Sequence, residues 1–164
     1  MVVWVFPEVA EQGRYLVSVL DSLGYRASLK VVGSFPAYYS KVADSRVRAQ
    51  AGYIATFYGP FPAGVLPLLA SCAAFVPASP GQTSNLSEFC DRSIDAQMAR
   101  AAAAQVQDPA AATSLWQQAE RSLLAQAPYV PVYNERAVDL VSKRVGNYQY
   151  NPQSGALLDQ LWVK

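Results

Sequence analysis

Residues 2–6 read Val-Val-Trp-Val-Phe, an unbroken apolar run. Such a run suits a strand covered on both faces. Pro7 follows, and proline suits the first turn of a helix. Val9, Gly13, Leu16, Leu20 and Leu23 then recur at spacings of three and four, so one helical face is buried. The glycine on that face predicts close contact with a sheet. Gly24 stands where a helix would end. From Tyr25 to Val32 the period changes to two. Ala27, Leu29 and Val31 alternate with Arg26, Ser28 and Lys30, the pattern of a half-buried strand. Strand, helix and strand in this order predict a βαβ unit with parallel strands and a right-handed crossover.

Residues 35–50 predict a short helix or helical turn, and Ala51 to Tyr58 a further strand. Tyr58-Gly-Pro-Phe-Pro-Ala-Gly64 reads as a rigid aromatic loop. A helical turn over 65–71 and a loop over 72–90 follow. Asp91 caps a helix to about Gln107, with Ile94 and Met98 facing inward. Asp108-Pro109 repeats the start signal, a capping side chain and then proline at the first helical position. Leu115, Ala119 and Leu123 share one face of the next helix, Trp116 flanks it as a core residue, and Pro128 stops it. Tyr129 to Tyr133 and Val138 to Ser142 are strand-like, separated by the polar Asn134-Glu135-Arg136. From Gly146 onward the tail reads as mostly irregular. Trp4 and Trp162 read as structural.

Composition narrows the function. The chain has 164 residues, 52% hydrophobic and 15% charged, with a net charge of +1. That suits one domain, or a dense piece of a larger one. It is too apolar for disorder. The near-neutral charge and the lack of a basic run argue against a nucleic-acid partner. No apolar stretch reaches the roughly 18 residues of a membrane helix. The chain contains no histidine, so a nucleophilic serine lacks its usual base, and no catalytic residue is assigned. Glu8 and Glu11 sit where negative charge favours a helix start, which explains them better than an acid/base pair does. In place of a glycine-rich phosphate cradle after the first strand stands Pro7-Glu8.

Cys72 and Cys90 have no histidine with which to complete a zinc site. They form no Cys-x-x-Cys redox pair. A disulfide closing an irregular loop is one reading, and implies an oxidising compartment. Two independent buried thiols are the other. Glu88 and Asp91 flank Cys90 but are weak as a cation site. No metal or cofactor is predicted. Met1 leads straight into the apolar strand, with no basic and apolar export signal before it. The opening reads as already mid-fold, the pattern of a trimmed start, with a natural start as the alternative.

Three groups of residues carry a resemblance. Asn85-Leu-Ser-Glu-Phe-Cys-Asp-Arg-Ser-Ile-Asp-Ala-Gln-Met98 has the form of an asparagine–aromatic–aspartate stretch leading into a helix. Leu115-Trp-Gln-Gln-Ala-Glu120 and then Ala127-Pro-Tyr-Val-Pro-Val-Tyr133 have the form of a penultimate helix and a proline-bracketed strand. Ser142-Lys-Arg-Val-Gly-Asn-Tyr148, Asn151-Pro152 and Leu161-Trp162 have the form of a closing segment. In this order, and with the opening βαβ unit, they resemble the C-terminal part of extracellular solute-binding proteins of family five. These are the peptide, dipeptide and nickel receptors of ABC importers.

The resemblance implies an α/β fold, one lobe of the periplasmic binding protein type II kind, incomplete, with a mixed sheet flanked by helices. Residues 1–145 would be the lobe, and residues 146–164 a tail returning to the missing N-terminal lobe. That tail is expected to be loosely held, or packed elsewhere. The implied role is binding, not catalysis. A peptide or other small solute is held between two lobes and delivered to membrane permease subunits, outside the cytoplasm. Full-length family members are expected to carry a lipid anchor. A ligand buried on most sides needs both walls, so this chain alone should bind weakly or not at all. Exposed lobe surface is expected to favour self-association.

The implied ligand-binding residues are Phe57, Tyr58, Phe61 and Asn85. Phe57 falls near the family's cleft tryptophan, and Phe61-Pro62 matches its aromatic–proline pair. Proline, at about Pro60, stands where the family has an aspartate, so recognition of a ligand ammonium by that route is lost. The aromatics would stack on an apolar or planar ligand. Packing of the strand end is the alternative for them, and holding its own turn is the alternative for Asn85. Lys143-Arg144 reads as a solvated strand end. From other classes, a small α/β enzyme or sensor domain and a protein-interaction module remain open as functions.

Overall fold

A computed structural model describes residues 1–54, 61–77, 83–133, 136, 138–152 and 154–164. The opening apolar run forms strand β1 (Val2–Val5). Pro7 begins a single 3-10 turn that leads into helix α1 (Ala10–Ser22). That helix stops as the sequence predicts. Gly24 takes φ +87°, the Tyr25 N–H bonds the Leu20 carbonyl at 3.0 Å, and the Gly24 N–H bonds Asp21 at 3.0 Å. This closure satisfies two of the last helical carbonyls and needs a residue without a Cβ penalty. Leu23 is exposed, not part of the buried face, because it caps this turn.

The chain returns as β2 (Ser28–Val31), parallel to β1 in the register Val3 opposite Leu29. Helix α2 (Phe35–Val42) follows, capped by the Ser34 hydroxyl. Strand β3 (Ala51–Gly52) then pairs parallel with the other edge of β1, giving the order β2-β1-β3. The central strand is covered on both sides. Val3 and Val5 pack with Leu16, Val17 and Leu20 of α1. Trp4 and Phe6 pack with Tyr38 and Val42 of α2. Gly13 faces Val5 and Leu29; a Cβ there would meet Val5 at 2.8 Å and Leu29 at 2.6 Å. In β2, Leu29 faces α1, but Val31 is exposed, since β2 is an edge strand.

A second core is helical. Helix α3 (Pro62–Ala70) begins at Pro62, earlier than the aromatic-loop reading allowed, because proline serves as its first residue. Helices α4 (Arg92–Gln107) and α5 (Pro109–Ala125) start at Asp91 and Asp108 as the sequence predicts. Ile94, Met98, Trp116, Ala119 and Leu123 close this core with Ala70. Trp116 is one of its buried residues and its indole N–H reaches Gln105 at 3.3 Å.

Two expectations fail. The described residues of 129–133 and 138–142 form no strand. An apolar stretch makes a strand only where a neighbour supplies hydrogen bonds, and among the described residues these segments join no sheet. The tail is less irregular than its composition suggests. Strands β4 (Val145–Gly146) and β7 (Trp162–Val163) pair antiparallel, as do β5 (Tyr150–Asn151) and β6 (Gly155–Ala156). The Trp162 indole lies against the Gly146 backbone, which leaves no room for a side chain there. Of the predicted strand 51–58, residues 51–54 are described, and among them the two of β3 are regular, with the Tyr53 N–H continuing the bonding to Trp4 at 3.2 Å; residues 55–60 lie outside the described residues.

Candidate functional site

In an open parallel sheet, the crevice beyond the carboxyl ends of the strands lies where the connections change direction. With order β2-β1-β3, that point is between β1 and β3, where α1 covers one face and α2 the other. Residues leaving this edge are Phe6 after β1 and Tyr53 after β3. At this edge opens a shallow groove of about 470 Å³. Glu11, Tyr15 and Leu16 of α1 form one side; Tyr53, Val132 and Tyr133 form the other.

The groove is built from inside out. Tyr38 of α2 is buried and donates its hydroxyl to the Tyr53 carbonyl at 2.8 Å. Burial pushes this phenol up to about 12, against the smaller opposing effect of the backbone bond. Tyr53 in turn places its own hydroxyl 2.9 Å from that of Tyr133. A buried aromatic thus supports an aromatic wall. The exposed Glu11 carboxylate is ion-paired with Arg14, so its charge is largely offset by a residue of its own helix. The wall offers aromatic faces, phenolic oxygens and amide groups. That chemistry stacks on planar or apolar groups and hydrogen-bonds uncharged ones.

The sequence-predicted residues fall in different places. Phe57 and Tyr58 lie outside the described residues. Phe61 is 61% exposed at the head of α3 and does not line the groove. Asn85 is fully buried. Its amide donates to the Ser71 carbonyl at 3.0 Å and the Phe89 carbonyl at 2.6 Å. Its oxygen accepts from the Phe89 N–H at 3.2 Å and the Ser87 hydroxyl at 2.9 Å. Those bonds describe a residue that holds its own loop. Cys72 and Cys90 are joined in a disulfide. Among the described residues no three carboxylates or cysteines gather as a metal site, and no helix is long and apolar enough to cross a membrane. Tyr53, Tyr15 and Tyr133 were missed by sequence reasoning. The strand reading ran on to Tyr58, so Tyr53 stood in mid-strand and carried no signal of a site.

No family model matches the chain, and no curated protein does. Among solved structures, it is similar to the ABC transporter-associated periplasmic binding protein DppA from Helicobacter pylori in complex with peptide STSA. The TM-score is 0.64 at 19% identity, over 79% of this chain and 24% of that one. It is also similar to HbpA2 from Haemophilus parasuis, with TM-score 0.63 and 21% identity, over 99% of this chain and 32% of that one. At such identities the likeness speaks for fold. The chain has the α/β fold of a periplasmic binding protein lobe, and it spans 24% and 32% of those two chains.

Proposed function

We propose that this chain forms one wall of a two-lobed solute receptor of the family-five type, which takes up short peptides outside the cytoplasm and hands them to an ABC permease. The observation that carries this reading is the fold likeness to DppA, a protein solved with a peptide bound, over 79% of this chain. Three further features support it. A groove of aromatic and polar groups opens at the switch point of the parallel sheet, where ligands of such sheets bind. The Cys72–Cys90 disulfide suits an oxidising compartment. Large apolar side chains stand exposed along 130–141, as on a surface that a second lobe would cover. Closure of two lobes about a hinge would then bury the solute.

The proposed role is binding, in keeping with the fold likeness to a peptide-bound binding protein. Phe57, Tyr58 and Phe61 remain proposed contacts, joined by Tyr15 and Tyr133 of the groove. Asn85 contributes by fixing the loop before α4.

Thermal-shift titration of the chain with di- to tetrapeptides tests this. A single wall should bind with Kd on the order of 1 mM, roughly −4 kcal/mol, and Tyr133→Ala should abolish the shift. Submicromolar binding by this chain alone would overturn the half-site reading. A peptide shift that survives Tyr133→Ala unchanged would overturn the groove as the ligand-bearing wall.

A further inference from the structure

The disulfide and Asn85 act on the same two points of the chain. Ser71 and Phe89 immediately precede Cys72 and Cys90. One buried side-chain amide, that of Asn85, donates to both of their carbonyls, at 3.0 and 2.6 Å. The two peptide units that carry the cysteines are therefore already clipped together by hydrogen bonds. An asparagine side chain has two donors and an acceptor oxygen, and here the donors and the oxygen are all used. Other bonds brace the same ends. The Thr83 hydroxyl donates to the Ala74 carbonyl at 2.8 Å, and the Cys72 N–H reaches the Asp95 carboxylate at 3.3 Å. The Tyr39 hydroxyl fastens the Thr83 carbonyl to α2 at 2.6 Å. A fully satisfied buried network of this kind specifies one conformation, and a partly satisfied one is costly.

We infer that Asn85, and not the disulfide, holds together the two stretches of chain that carry Cys72 and Cys90, and that it positions the two thiols for oxidation. The hydrogen bonds of Asn85 to Ser71 and Phe89 close first and bring the two cysteines beside each other. The bond then forms between thiols already neighbours, at high effective concentration. Cys90 is the exposed member and the one an exchange partner reaches. A small-molecule disulfide such as oxidised glutathione supplies the oxidant. The Cys90 thiolate attacks it and releases one glutathione thiol; the Cys72 thiolate then attacks the mixed disulfide and releases the second. Two protein thiols lose two electrons and two protons, and one glutathione disulfide gains them.

Two experiments test this. In Cys72→Ser/Cys90→Ser, the Phe89 amide, bonded to the Asn85 oxygen, should keep hydrogen-exchange protection within tenfold of the native protein. Exchange at the unfolded-peptide rate, with α4 and α5 still protected, would overturn the inference. With both cysteines present, Asn85→Ala should lower the effective concentration of the pair in glutathione buffers at least tenfold. Ser87→Ala keeps both amide donors and should stay within threefold. An Asn85→Ala protein that oxidises as readily as the native one sinks the idea, as does a Ser87→Ala protein that falls equally far. Should Asn85→Ala not fold, hydrogen exchange in the double serine variant still separates stretches held together by Asn85 from stretches held together by the disulfide.

Discussion

Tyr38 carries its hydroxyl across Gly52 to reach the Tyr53 carbonyl, and the two residues have to be read together. A Cβ on Gly52 would lie 2.5 Å from that hydroxyl, so Gly52→Ala displaces a buried donor from its acceptor. Tyr38→Phe removes that donor and its bond to the Tyr53 carbonyl. Each should cost about 1–3 kcal/mol. The double variant should cost less than the sum, because phenylalanine vacates the space that alanine needs; additive losses in urea unfolding would disprove the coupling. The raised phenol pKa has a sign as well. Tyr38 stays protonated in the fold up to about 12, whereas in the unfolded chain it ionises near 10. Its contribution is whole below pH 10 and drains away between 10 and 12, and Tyr38→Phe should flatten that decline. Gly13 is a second close contact. Alanine there would gain about 1 kcal/mol of helix propensity but press on Val5, which is buried and β-branched. Overpacking of about 1–3 kcal/mol outweighs the gain, so Gly13→Ala should lower Tm. Gly13 was legible in the sequence because it sat on an apolar stripe of fixed period. Tyr38 was not, since its role comes from residues 15 positions away that only the sheet brings near.

Helices α4 and α5 show what local chemistry can specify. Asp91 accepts from the Ser93 and Ile94 N–H groups at 2.8 and 3.3 Å, and from the Gln126 amide at 2.7 Å. It therefore starts α4 and fastens the end of α5. The Gln126 and Ser93 bonds hold its carboxyl well below the ordinary 3.8, at about 2. A depressed folded pKa means stability that is present above pH 4 and lost as pH falls from 4 to 2. The Tm gap between the native protein and Asp91→Asn should accordingly shrink toward zero over that interval. A gap constant with pH would show that charge is irrelevant to this cap. Asp108 accepts from the Ala111 N–H at 2.9 Å, and Asp108→Ala should cost about 1 kcal/mol. These elements were readable because cap, proline and apolar stripe lie within a few residues of one another. The segments around Val130 and Leu140 were misread for the opposite reason. Their alternation is that of a strand, but a strand is completed by a neighbour, and no local pattern says whether the neighbour is there.

Val130, Val132, Val138, Leu140 and Val141 all stand exposed in one stretch of chain, with Val130 at 75% and Leu140 at 98%. Exposed apolar surface costs roughly 25 cal/mol per Å² against burial, and none of these residues belongs to either core. In the tail, Leu158, Trp162 and Val163 are exposed as well. If this face is meant for a second lobe, then in its absence other copies of the same face are the nearest substitute. Light scattering should therefore report a mass that rises with concentration. Leu140→Asp, at a site with almost no native contacts, should leave urea stability within about 0.5 kcal/mol of the native value and hold the chain monomeric. A native chain that is monomeric at every concentration would remove the argument for a covered face. A Leu140→Asp chain that associates as before would move the contact elsewhere. The groove by Tyr53 and Tyr133 borders the same stretch through Val132, so a lobe that covered the one would close over the other.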